Sequence, residues 1–243
     1  SGEGFIKVTG EVGTGKTLLC RKFLTALEDD FITAYIPNPY LEPMTLLLAI
    51  ADELGVSYSD NVTQHRLLKD LTLSLLRSYS KTKRPVVVCL DEAHAMPLET
   101  LEFLRLLSNL ETQKHKLLQL VLFGQPELDQ RLAQNELRQL RQRISFSCKL
   151  MPLSIHGVSQ YIYHRLHRVG FDGPRIFSDQ AIKLIYKSSQ GVPRLVNILS
   201  HKAMMSAYGE GGHNITAAHV RAAIADTESV AEFKEDSWSR PLS

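Results

Sequence analysis

Cysteine is scarce in this chain. Cys20, Cys89 and Cys148 are the whole complement of 243 residues, an odd number without CxxC spacing. That excludes a disulfide framework and a cysteine-based zinc site, and reads as reduced thiols in a cytosolic chain. No apolar run approaches the roughly 18 residues of a membrane span. The opening residues SGEGF lack the charged-then-apolar pattern of a secretory signal. The expectation is a cytoplasmic chain with no direct membrane span, peripheral at a membrane only through partners. Charge of one sign is not in excess either, with 28 Lys and Arg against 26 Asp and Glu. A broad electrostatic footprint for nucleic acid or anionic lipid is thereby excluded, while local basic patches stay open. Internal repeats and low-complexity tracts are missing as well.

What is present is an ordinary globular composition, 44% apolar and 22% charged, sufficient for one large domain or a core with a satellite. FIKVT (5–9) reads as a strand leading into GEVGTGKT, after which Leu18, Leu19, Phe23, Leu24 and Leu27 recur at helical spacing. FITAYI (31–36) is a second strand, closed by the turn PNPY. EPMTLLLAIADELG and QHRLLKDLTLSLLRSYS are amphipathic helices, the first stopped by Gly55 and the second running out before Pro85. VVVCL, LLQLVLF (117–123) and RISFSCKL (143–150) are further strands, with the helix LETLEFLRLLSNLE after the first of them. Near-continuous apolar strands alternating with helices predict an α/β fold with a parallel sheet. After Met151-Pro152 the strands stop and four helical segments follow. The predicted organisation is a core over 1–152, a small all-α domain over 153–227 and a tail or linker over 228–243.

GEVGTGKT, Gly10 to Thr17, matches the phosphate-loop pattern GxxxxGK[ST] between the strand and the helix that its mechanism requires. Glycines let successive N–H groups face phosphates, Lys16 reaches the β- and γ-phosphates, and Thr17 offers a hydroxyl to Mg²⁺. The residues expected to hold the nucleotide are Glu11, Val12, Gly13, Thr14, Gly15, Lys16, Thr17 and Leu18. VVVCLDE supplies the matching acids. Asp91, at the carboxyl end of a buried strand, is expected to hold the Mg²⁺ shell, and Glu92 to orient and deprotonate the attacking water. Alone, an apolar run ending in two acids reads equally as a solvated loop; beside GEVGTGKT it reads as a nucleotide site. His94 completes the letters DEAH. A helicase would need a second ATPase core, for which too few strands remain, so His94 is expected to be a local surface residue or a neighbour of the site residues.

Gln125, just past the strand expected beside VVVCL, is placed to contact a γ-phosphate or the attacking water, against the plainer reading of a loop amide. Arg138, Arg141 and Arg143 cluster before the last strand. One of them could enter a neighbouring subunit's site, where an arginine stabilises transition-state charge and makes hydrolysis depend on assembly. A solvated basic face or a DNA-backbone patch are the alternatives. Arg194, beside Pro193 at a helix start, could reach the phosphates and couple that helix to nucleotide state. Loop and acidic pair are expected on adjacent strands of the sheet, gripping one magnesium-nucleotide.

Together these features resemble the AAA+ ATPases: a five-stranded parallel P-loop core followed by a small helical lid. The phrases LDEAH, VLFGQPEL, LRQRI and GVPRLVN are similar to the ExeA-type (GspA-like) ATPases of bacterial secretion and pilus systems, above all their MSHA-pilus branch. That resemblance implies ATP and Mg²⁺ as ligands, and a homo-oligomer with inter-subunit active sites. It also implies partners among pilus or type II secretion assembly proteins at the inner membrane. In the family's terms Gln125 matches sensor 1, Arg194 matches sensor 2, and Arg143 the finger arginine, with Arg141 close behind. ExeA-type proteins continue into a membrane span and a peptidoglycan-binding module, so the expectation is the shorter pilus form or a piece of a longer chain. The upstream segment that usually packs on adenine is also missing from this sequence. A DNA-directed relative, of the transposition-targeting or replication-initiator kind, is the competing reading, kept open by HRLHR (164–168). A binding module that signals without turnover is a third, against which Glu92 argues.

Overall fold

A computed structural model describes residues 4–27, 29–37, 40–110, 116–228 and 230. Five strands, β1 (Phe5–Gly10), β2 (Ile32–Ile36), β3 (Val86–Leu90), β4 (Leu118–Gly124) and β5 (Ile144–Leu150), pair in parallel in the order β2-β3-β4-β1-β5. The expected five-stranded parallel sheet is present. Its spatial order corrects one expectation: β1 and β3, which lead into the glycine loop and the acidic pair, are not neighbours, because β4 lies between them. The reason is burial. All seven residues of β4 are buried, and a strand apolar on both faces takes the middle of a parallel sheet.

Alternation along the strands sorts the core into two layers. Val86, Val88 and Leu90 of β3, with Leu118, Leu120 and Leu122 of β4, pack in one cluster with α2 (Pro43–Glu53), α3 (Gln64–Thr82) and α4 (Leu98–Leu107). Val87 and Cys89, with Val8, Val121 and Phe123, form the other cluster with Cys20 and Phe23 of α1 (Lys16–Leu27). There the hydrogen bond that the Cys89 thiol makes to Cys20, then burial, pushes the Cys89 pKa up, so it stays protonated at neutral pH. α2 gives way to Gly55 at φ +65°, and α3 ends at Lys83 in the left-handed region, two residues before Pro85. β5 is an edge strand whose middle residues are all exposed, Phe146 by 52%. Two short helices that sequence periodicity did not reveal, α5 (Glu127–Leu132) and α6 (Arg138–Gln142), occupy the stretch between β4 and β5.

The chain divides into two compact units, Ser1–Val12 with Lys16–Leu150, and Gly13–Gly15 with Met151–Ser243. In the second, α7 (Ile155–Arg168), α8 (Asp179–Ser189), α9 (Pro193–Gly209) and α10 (Ala217–Ala225) enclose their own core, which includes Val158, Ile185, Leu199 and Val220. Each start has a local cause. Ser154 and Ser178 accept N–H bonds from Gly157 and Ala181, both at 3.2 Å, Pro193 opens α9, and Thr216 forms a reciprocal cap with His219. No helix among the described residues is long and apolar enough to cross a membrane. Asn38 and Pro39 of the PNPY turn, Glu28 and Glu111 in two predicted helices, and the tail apart from Glu228 and Val230 lie outside the described residues.

Gly191 and Gly170 form a natural control pair in the helical unit. Both have positive φ, +75° and +87°, but a Cβ on Gly191 would lie 2.0 Å from the Leu153 carbonyl oxygen, whereas one on Gly170 meets nothing within 4 Å. Gly170→Ala is expected to lose about 1 kcal/mol through backbone strain alone. Gly191→Ala is expected to lose a further ~1–3 kcal/mol by overpacking. Urea unfolding of the two variants measures the difference, and equal losses would show that the Leu153 carbonyl yields.

Candidate functional site

The glycine loop follows β1 directly, and two of its residues need the left-handed backbone that only glycine adopts freely: Gly13 at φ +80° and Gly15 at φ +95°. α1 begins at Lys16, whose side chain curls back over the loop. Its Nζ donates to the carbonyls of Gly10 at 2.8 Å and Glu11 at 3.0 Å, and the residue is 6% exposed. Burial lowers the ammonium pKa below its ordinary value, while Glu92, Asp91, Glu11 and Glu127, in that order, draw it back up. Among the described residues no carboxylate is in ion-pair contact with it. An ammonium has three protons to donate and two are used, so Lys16 presents a buried cation with capacity for an anionic oxygen. Thr17 follows at the helix amino end, where anions are favoured. Val12 and Leu18 are exposed beside it.

Asp91 ends β3 and is 2% exposed. Its Oδ1 accepts the Glu92 N–H at 3.0 Å and its Oδ2 accepts the Tyr35 hydroxyl at 3.2 Å, while its own N–H continues the sheet to the Ile36 carbonyl. Tyr35 lies on β2, in register with Cys89. Burial, then the charge and hydrogen bond of Asp91, raises its phenol pKa above the usual value, so it remains a donor. Both partners of Asp91 are neutral, so a buried carboxylate is left without a cation in direct contact.

Glu92 adopts φ +54°, an uncommon conformation for a residue with a side chain. It opens a single 3-10 turn, Ala93–Ala95. Glu92 Oε2 lies 3.4 Å from His94 Nδ1 and 3.5 Å from the Gln125 amide, and that amide is 2.9 Å from His94 Nε2. A neutral imidazole carries one proton. Placed on Nδ1, it is donated to Glu92 and leaves Nε2 to accept from Gln125, which gives up the equally long approach of the Gln125 backbone N–H to Nδ1 at 3.4 Å. His94 therefore touches both polar residues that the sequence places near a γ-phosphate.

The short α5 carries two residues that sequence reasoning missed. Asp129 accepts from Thr9 Oγ1 at 3.2 Å and pairs with Lys7, both on β1, and Arg131 donates to the His94 carbonyl. Neither these nor Tyr35 announce themselves by spacing, because each matters only through a neighbour distant in sequence. The arginine cluster stands apart. Arg138 and Arg141 are exposed, Arg141 donating to the Ala133 carbonyl, while Arg143 donates to Ser108 Oγ at 3.0 Å. Among the described residues no hydrogen bond or ion pair links the cluster to Lys16, Asp91, Glu92 or Gln125. Arg194 is exposed at the start of α9, and its backbone N–H donates to the Gly13 carbonyl at 3.1 Å within the second unit.

Among the described residues no three His, Cys, Asp or Glu side chains converge into a metal cage. A magnesium ion suits such a site, since it binds through one or two protein oxygens plus phosphate and water. Thr17 and buried Asp91 fit that donor set.

Three comparisons bear on this arrangement. General secretion pathway protein A of Aeromonas hydrophila is 41% identical over 242 residues, which span 99% of this chain and 43% of that protein. The chain thus spans less than half the length of this curated relative. Among solved structures, Cdc6p from Pyrobaculum aerophilum superposes with a TM-score of 0.70 at 18% identity, over 91% of this chain and 61% of that one. The RuvB Holliday junction branch migration motor of Thermotoga maritima superposes at 0.61 and 16%, over 92% and 61%. At these identities the likeness concerns fold alone. The AAA domain family model matches residues 1–132, more than half of the chain and the stretch that holds the glycine loop, the acidic pair and Gln125. The chain belongs to the AAA family.

Proposed function

We propose that this chain is a magnesium-dependent ATPase of the AAA+ kind. The observation that carries this reading is Lys16, a buried ammonium held by its own loop within the field of Asp91 and Glu92. In the proposed reaction Lys16 and the loop N–H groups orient the β- and γ-phosphates. Glu92 accepts a proton from a water as its oxygen attacks the γ-phosphorus, and the bond from that phosphorus to the leaving ADP oxygen breaks. Gln125 positions that water or the γ-phosphate, and Arg194 senses the nucleotide. Mg²⁺, held by Thr17 and Asp91, would neutralise charge developing on the phosphates. Glu11, Val12, Gly13, Thr14, Gly15 and Leu18 complete the nucleotide cradle.

Arg141 or Arg143 is proposed to act in the site of a neighbouring copy within a homo-oligomer. Exposed Arg141 is the freer of the two, since Ser108 engages Arg143. The proposed setting is cytoplasmic, serving assembly proteins of a type II secretion or MSHA-like type IV pilus apparatus at the inner membrane. The identity to General secretion pathway protein A supports that setting, although the match covers 43% of that protein. The DNA-directed alternative draws on fold likeness and on the basic stretch HRLHR (164–168).

Lys16→Ala is expected to abolish nucleotide binding, and Glu92→Gln to keep binding while lowering turnover by about 10²–10⁴-fold. Fluorescent-nucleotide titration and steady-state phosphate release separate the two effects, and unchanged turnover in Glu92→Gln removes the assigned base. If an arginine acts across subunits, specific activity rises with protein concentration, and mixing Arg141→Ala or Arg143→Ala with Glu92→Gln recovers part of the lost activity. Flat concentration dependence without recovery counts against it. Tyr35→Phe removes a donor from Asp91, and is expected to raise the magnesium concentration for half-maximal turnover about 10-fold with little change in maximal rate; an unshifted magnesium curve would leave Tyr35 a packing residue.

A further inference from the structure

The helical unit contains a half-open cavity of about 470 Å³ between α7 and α9. Ile162, Leu166 and Val169, at i, i+4 and i+7, line one wall, and Ile198, His201 and Met204, at i, i+3 and i+6, line the other. Exposed apolar surface continues beyond the cavity. Val169 is 80% exposed, and Met205 and Tyr208 further along α9 are 62% and 84% exposed. Single exposed apolar residues are ordinary; a stripe at helical spacing beside a cavity marks an interaction surface.

Two polar groups in the lining are incompletely satisfied. Ser200 is 6% exposed, and its hydroxyl is buried with no hydrogen-bond partner among the described residues. Arg165 has no carboxylate partner among them; its guanidinium lies 5.9 Å from the Tyr161 ring centroid and donates to that phenol across 3.4 Å. The nearby ammonium of Lys202 is compensated by Asp226 at 2.8 Å, and the His167 ring has Asp172 beside it at 3.1 Å. Among the described residues no carboxylate lines the cavity, so the uncompensated charge they give it is positive.

We propose that this groove docks an acidic amphipathic helix of a partner protein, with apolar side chains between α7 and α9 and a carboxylate on Arg165. Charge complementarity selects an acidic partner, and the apolar stripe that outruns the cavity selects a helix over a small molecule. The site uses no residue assigned to nucleotide chemistry, so it stands or falls separately from ATP hydrolysis.

A phage-displayed library of random peptides of about 16 residues, long enough for a helix, panned on the whole chain, tests the proposal. The expected winners carry apolar residues at i, i+3 or i+4 and i+7 with Asp or Glu beside them. They should bind at least about 10-fold more weakly to Arg165→Glu, a loss of roughly 1.4 kcal/mol, and similarly to Ile198→Asp. Val169→Asp, at an exposed position, replaces the latter if it does not fold. No enrichment, a basic consensus, or binding undiminished in these variants would overturn the proposal. So would duplex DNA bound in an Arg165-dependent manner, displacement of the winners by a peptide of residues 228–243, or self-association lost in Arg165→Glu.

Discussion

Lys16 carries a positive charge almost wholly withdrawn from water, and the carbonyls of Gly10 and Glu11 that hold it supply only partial negative charge. Asp91 presents the converse, a buried carboxylate touched only by neutral donors. Two opposite charges kept near but out of contact are tolerable because each lies in the other's field, and they are left under-satisfied by the same arrangement. A polyanion carrying a divalent cation repairs both deficits at once. That electrostatic gap, more than the glycines that give the loop its shape, makes the end of this sheet a site.

β4 sets the width of the gap. By lying between β1 and β3 it separates the strands that carry lysine and aspartate, and just past its end it brings Gln125 to Glu92 and His94. The segment after β4 then binds the neighbouring ends together. Asp129 fastens α5 to Lys7 and Thr9 of β1, and Arg131 fastens it to the His94 carbonyl beyond β3. The three strand ends that bear the proposed chemistry are thus joined by side chains of a six-residue helix.

Much of this could be read in the sequence because the signals were local. GEVGTGKT sits between a strand and an amphipathic helix, VVVCL is too continuously apolar for an edge, and Pro193 announces a helix start. What escaped was tertiary. The placement of β4 between the two motif-bearing strands depends on how apolar faces compete for the middle of the sheet. Tyr35 looks like any β-strand aromatic until β2 pairs with β3, and the pairing of Arg143 with Ser108 depends on where α4 ends. α5 and α6 are shorter than the window over which helical periodicity can be detected.

The distribution of sulfur has a practical corollary. Cys20 and Cys89 face each other inside the sheet's second layer, whereas Cys148 stands in the open on the edge strand. Among three thiols, one alone is addressable in the folded state. A maleimide dye or spin label therefore reports from a single known point on β5, and a covalent dimer formed under air would be joined there, sulfur to sulfur, edge to edge.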